Sequence, residues 1–296
     1  MKIKTQYLFS VLMVIFTASG IVSANEDKVD VPQNMASPLA EHYQAALNGE
    51  PEGLMAMVAL YERFPGWGSE EPLQYWLEQL ADTGDTGAKA KLCQFDNQVA
   101  FDYCLSAAAS GEIQAMLSIA QKYSFGDGVE RSEKIEAYWL LKAAQAGDSR
   151  AQESIGISYY WGHGVSIDYQ QAYQWFTLAA QQGEPTAQRF LGVMYLEGTE
   201  PVVQDYAQAL DWLQQASEQG DSSAQMELAI MYYKGLGVEQ KKVESYAWMR
   251  LALERVIGIN KGQWDANLAS IKSGLSETDI AEGEKLFQKL QEEYLD

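Results

Sequence analysis

Histidine and cysteine are nearly absent: two of each in 296 residues leave little from which to build a catalytic or metal centre. His42 lies in a helical stretch and His163 in a glycine turn, so neither a histidine-pair metal site nor a Ser-His-Asp arrangement can be assembled from them. Neither cysteine has a neighbouring histidine to activate a thiolate. The sequence contains no Ser-x-x-Lys and no Gly-x-Ser-x-Gly, so a serine nucleophile has no recognisable setting. Gly126-Asp127-Gly128 and its counterparts lack the strand, the lysine and the spacing of a phosphate loop and read as turns. The expectation is a protein that is not an enzyme and carries no cofactor or metal.

Basic residues are also scarce, 21 against 41 acids, for a formal charge of −20. Nucleic acids and anionic membrane surfaces gain their affinity chiefly from lysine and arginine, so both are set aside as partners. The excess acid serves solubility, or else steers the chain toward a basic partner.

Long apolar runs are missing with one exception. Lys2 and Lys4 precede a largely apolar stretch from Leu8 to Val22, and Val22-Ser23-Ala24 offers a small-residue cleavage site. At about 15 residues the run falls short of the ~20 that span a hydrocarbon core, so residues 1–24 read as a signal peptide rather than an anchor. No cysteine at the cleavage site supports a lipid anchor, and no transmembrane segment is expected after signal removal. The mature chain is then expected in the periplasm, or secreted, of a Gram-negative bacterium. Asn25 to Ala36, charged and containing Pro32, reads as a disordered lead-in.

What the chain has in quantity is repetition. Ala115–Arg150, Ala151–Thr186 and Ala187–Ser223 say nearly the same thing, and a fourth copy opens at Ala224 and runs to residue 256. A period of this length marks units that cannot bury their apolar faces alone and so stack on one another. In the second copy Ala151, Ile155 and Tyr159 fall on one helical stripe, and Gly156 clears space for a partner helix. Gly162-His163-Gly164-Val165 breaks the helix, and Ala172, Trp175, Phe176, Ala179 and Ala180 form a second apolar face closed by Gly183. Each copy is therefore an αα-hairpin. Degenerate copies can be aligned over 53–87, with Tyr61 and Trp76, and over the shortened 88–114, with Tyr103. Ser37-Pro38 opens a helix ending near Asn48, and Ser276-Glu277-Thr278-Asp279 resembles a capping box opening a terminal helix over 276–294. The fold class expected for residues 37–296 is an all-α, right-handed α/α superhelical solenoid of about six helix pairs with a C-terminal capping helix.

The pattern Ala, Leu-Gly, Tyr, Gly-x-Gly-Val, Asp, Ala-x-x-Trp, Ala-Ala, Gly resembles the Sel-one-like repeat family, relatives of the tetratricopeptide repeats with a longer inter-helix turn. It is carried in the second copy by Ala151, Gly156, Tyr159, Gly162, Gly164, Val165, Asp168, Ala172, Trp175, Ala179, Ala180 and Gly183. Counterparts such as Tyr123, Trp139, Tyr195, Trp212, Tyr232 and Trp248 carry it in the others. The third copy departs at Gly198-Thr199-Glu200-Pro201-Val202, where one extra residue implies a remodelled turn. The resemblance implies a scaffold or regulatory adaptor for a protein or peptide partner. Some exported relatives are described as penicillin-binding or weakly β-lactamase active, so a cell-wall or β-lactam-directed hydrolase of the cysteine-rich repeat type is the alternative. Those relatives carry a disulfide in each repeat, whereas this chain can form one.

By analogy with tetratricopeptide solenoids, the third, seventh and tenth places of each first helix face a concave groove. The last three copies then line it with Ile157, Tyr160, Val193, Leu196, Met226, Ile230 and Tyr233, with Trp161 at the rim. The same side chains could instead fill a tight superhelix as core. Cys93 and Cys104 lie in the short unit, where a helix end, an Asp96-Asn97 turn and a second helix let them face each other. Export permits a disulfide there, and two buried thiols are the alternative.

Overall fold

The computed structural model describes residues 37–64, 70–254 and 261–294; the expected signal peptide and lead-in lie outside them. Within the described residues are fifteen α-helices and no strands. The chain divides into two units, one ending at Arg131 and the other beginning at Ser132.

The first unit holds α1 (Ser37–Leu47), α2 (Pro51–Arg63), α3 (Glu70–Asp82), α4 (Thr86–Lys91), α5 (Gln98–Ala109) and α6 (Ile113–Phe125), each in contact with the next. Its core gathers Leu54, Met57, Leu60, Trp76, Leu77, Leu80 and Leu92, with the Tyr43 ring meeting Trp76 edge-on at 5.8 Å. A single 3₁₀ turn, Leu92–Gln94, follows α4, and Asn97 caps α5 by accepting from the Ala100 N–H. This brings Cys93 and Cys104 together in a disulfide, with their Cα atoms 4.9 Å apart.

The second unit runs through α7 (Glu133–Gln145), α8 (Ser149–Trp161), α9 (Tyr169–Gln181), α10 (Pro185–Glu197), α11 (Tyr206–Glu218), α12 (Ser222–Lys234) and α13 (Lys242–Glu254). Consecutive helices pack on one another, which is the pattern of stacked hairpins. The period dictates the close approaches. A Cβ at Gly156 would sit 2.7 Å from the Phe176 ring, and one at Gly192 would sit 2.6 Å from Leu213, so only glycine lets α8 meet α9 and α10 meet α11 this closely. Ile155, Phe176, Leu191, Met194, Leu213 and Leu228 are fully buried along this stack, each contributing about 1.5–3 kcal/mol by leaving water.

The long inter-helix turn is closed the same way in the second, third and fourth copies. Asp168 donates its N–H to the Tyr159 carbonyl, Asp205 to Tyr195 and Lys241 to Tyr232, all at 2.9 Å. The extra residue of the third copy is absorbed between Gly198 and Asp205 without disturbing that closure. Buried glutamines join successive units: Gln152, Gln188 and Gln225 donate to the carbonyls of Ala144, Ala180 and Ser217 at the ends of the preceding second helices. Gln182 and Gln219 reach back to Gln152 and Gln188 in turn.

After the last hairpin come α14 (Lys261–Ser273), which the repeat pattern does not announce, and α15 (Glu277–Tyr294), both against α13. The capping box at α15 forms with aspartate: Ser276 N–H donates to Asp279, and Asp279 N–H donates to the Ser276 hydroxyl. These contacts hold the Asp279 carboxyl below its ordinary pKa, the Ser276 hydroxyl first. Phe287 and Leu290 bury against Tyr246, whose hydroxyl donates to Glu284, and Arg250 pairs with the same carboxylate.

Candidate functional site

The face built by α8, α10 and α12 carries all eight residues expected to bind a partner. Ile157, Tyr160, Val193, Leu196, Met226, Ile230 and Tyr233 are half-buried, and Trp161 at the end of α8 is 57% exposed. They are thus neither a closed core nor a bare groove. Ile157 and Tyr160 rest on the Phe176–Phe190 core, Leu196 on that of Leu213 and Met231, and Met226, Ile230 and Tyr233 on that of Leu228 and Tyr246.

At one end of this face the rings form a cluster. Tyr160 lies 4.8 Å from Trp161, 5.2 Å from Tyr169 and 5.2 Å from Phe190, centre to centre, and Phe176 stacks on Phe190 at 4.6 Å. Edge-to-face and stacked rings of this kind stabilise one another by about 0.5–1.5 kcal/mol per pair, and the exposed Trp161 packs on this cluster.

Of the charges on the face, Glu153 and Arg189 stand at the third places of their first helices, where the sequence reading puts groove-facing positions, whereas Glu227 was not read from the sequence. Burial followed by the nearby Glu184 pushes the Glu153 carboxyl above the ordinary range, with Arg189 and the Ala187 backbone opposing. Burial, then Glu197, does the same to Glu227, with Arg189 and Lys234 opposing. Arg189 donates from Nε to Asp221 at 3.2 Å, and its guanidinium lies 4.5 Å from the Phe190 ring. The Tyr160 hydroxyl is likewise raised, first by burial and then by Glu197. Helical spacing contained the signal: Phe190 and Glu227 stand three residues before Val193 and Ile230, on the same stripe.

Elsewhere, two clefts carry paired polar side chains. Lys122, buried in the first unit, places Nζ 2.6 Å from Asp96 and 3.8 Å from Asp127 beside an open polar cleft of about 610 Å³. A second open cleft of about 440 Å³ lies at the remodelled turn, where the Tyr173 and Tyr195 hydroxyls bond each other at 2.9 Å and Tyr195 is pushed up to about 12. His163 is exposed on its turn. Among the described residues no group of histidine, cysteine and carboxylate side chains is placed to hold a metal, and no helix is long and apolar enough to cross a membrane.

Tandem αα-hairpins closed by a long glycine turn, with terminal helices over the last pair, define an all-α solenoid repeat protein. The Sel1 repeat model matches residues 113–148, 149–184, 185–221 and 222–255, the phase lying two residues ahead of the one read from the alanines. A Sel1 repeat protein from Oxalobacter formigenes is 31% identical over 77% of this chain and 69% of its own, with a TM-score of 0.58. The chain belongs to the Sel1 repeat family. It is also similar to a protective antigen present in uropathogenic Escherichia coli strains that displays an SLR fold, at 27% identity and a TM-score of 0.68 over 87% of this chain. The match spans 56% of that antigen's length. No curated protein matches the sequence. Repeats of this family are in general protein-interaction scaffolds.

Proposed function

We propose that this is an exported scaffold or regulatory adaptor that captures a protein partner on the α8–α10–α12 face. The observation that carries the reading is the half-buried apolar stripe from Ile157 to Tyr233 across three successive first helices, edged by exposed Trp161. Side chains in this state are already ordered by the core beneath them, so a partner covering them gains apolar contact at low entropic cost. Aromatic and methionine side chains, enriched at interfaces, make up much of it. Export rests on the residues 1–24, whose composition is that of a signal peptide, and on the paired cysteines, which suit an oxidising compartment.

The test is a double substitution, Trp161→Ala with Tyr233→Ala. Partner capture is expected to be lost while helical content and melting temperature stay near those of the wild type. Retained capture would refute the assignment of this face. A nitrocefin assay of the purified chain should show no turnover; turnover abolished by one point substitution would replace the adaptor with the hydrolase.

A further inference from the structure

The α8–α10–α12 face carries more acid than its own bases neutralise. Glu153 lies within reach of the charges of Glu184, Asp221 and Arg189, Glu227 within reach of those of Glu197, Arg189 and Lys234, and Arg189 pairs with Asp221. Against these five carboxylates the face offers Arg189 and Lys234. Arg189 is already engaged, its Nε by Asp221 and its guanidinium by the Phe190 ring. Glu227, though half-buried, receives no hydrogen bond or ion pair from any described residue.

Folding accounts for two of these acids, Asp221 as the cap of α12 and partner of Arg189, and Glu184 as acceptor from the Ser149 hydroxyl, but not for Glu153, Glu197 and Glu227. Partly desolvated carboxylates near one another cost stability, and neutral residues of similar shape would serve the stack better. The exposed Trp161 ring, seated on the Tyr160 cluster, offers a face that attracts a cation, and half-buried Tyr233 stands on α12. Acid, aromatic and aliphatic groups thus share one surface of three helices, with too little positive charge to balance the acid.

We propose that the face receives a cationic, apolar segment of a partner protein. Lysine or arginine side chains of that segment meet Glu153, Glu197 and Glu227, while its aliphatic or aromatic side chains seat on Tyr160, Val193 and Ile230. The inference rests on the protein-binding reading above and specifies its chemistry. An acidic partner would add to the repulsion already present, and a cation without apolar groups would leave the stripe uncovered.

The experiment is fluorescence anisotropy with the full chain at about physiological ionic strength, where exposed long-range charge effects are largely screened. The probe is a short labelled peptide of lysine, leucine and tryptophan, compared with the same peptide carrying glutamate for lysine, and with spermine as competitor. The lysine peptide should bind saturably, the glutamate peptide should not, and spermine should displace the probe poorly. Glu153→Gln with Glu227→Gln should weaken binding about tenfold or more. Glu282→Gln with Glu292→Gln, which removes the same charge from the exposed side of α15, should leave it nearly unchanged.

Equal losses from the two pairs, equal binding of the glutamate peptide, efficient displacement by spermine, or no binding of the lysine peptide would each overturn the proposal. Failure here is separable from failure of the adaptor reading. If Trp161→Ala with Tyr233→Ala abolishes capture of the native partner and the glutamine pair does not, the face binds protein without using its acids.

Discussion

Glu227 shows how a single side chain can work against the fold that holds it. Burial lifts its carboxyl above the ordinary value of 4.5, so the folded chain binds that proton more tightly than the unfolded one. The sign follows: ionisation costs stability at neutral pH, and the cost disappears as pH falls through the raised value toward the unfolded one. Glu227→Gln is therefore expected to melt higher than the wild type near pH 7, with the difference closing as the pH approaches about 4.5. A lower melting temperature at neutral pH would mean that the carboxylate is stabilising after all. At this scale the sequence was legible where the side chain count is low: Gly156 beside Ile155 announced a close approach, and Phe176 fills it. It was less legible where identity repeats without an obvious chemistry. Gln152, Gln188 and Gln225 follow the first alanine of three copies in plain view, yet their role emerges only when each is seen donating to a buried carbonyl of the preceding helix.

The hairpin is the element on which the fold depends, and its glycines separate packing from helix propensity. Gly192→Ala forces a Cβ against Leu213 and should cost about 1–3 kcal/mol. Gly262→Ala on α14 meets nothing within 4 Å and should be neutral or gain about 0.5–1 kcal/mol in helix propensity. Thermal melts of the two variants decide the matter; equal effects would place the Gly192 contact in error. In the shortened unit the element is closed by Cys93 and Cys104, eleven residues apart. Replacing both by serine should destabilise the chain by about 3 kcal/mol through the freed loop, read as a lower melting temperature that reductant does not lower further. If reductant leaves the wild type unmoved, the bridge is not closing the unit. The hairpins were readable because alanine, glycine and tryptophan recur at a fixed interval. Helix α14 was not, because Trp264, Leu268 and Ile271 make a lone apolar stripe with no second copy to confirm it.

At the scale of the whole molecule, acidity and repetition describe one design: a stack of hairpins whose first helices carry a half-buried apolar stripe among carboxylates. The all-α repeat architecture could be read from periodicity alone. The state of the stripe could not, since spacing places Ile157, Val193 and Ile230 on one face without fixing how far the neighbouring hairpin covers them. That depends on Phe190, Phe176 and Leu228 beneath, which are set by the packing of the stack. The most direct measurement of the central claim is site-specific photocrosslinking in the cells that make the protein. The photoreactive residue is placed at 161, on the α8–α10–α12 face, or at 178, an exposed position on α9. The account predicts a discrete protein adduct from position 161, absent from position 178 and lost when Ile230→Asp is added to a chain that still melts cooperatively. Adducts of equal yield from both positions, or an adduct that survives Ile230→Asp, would contradict it.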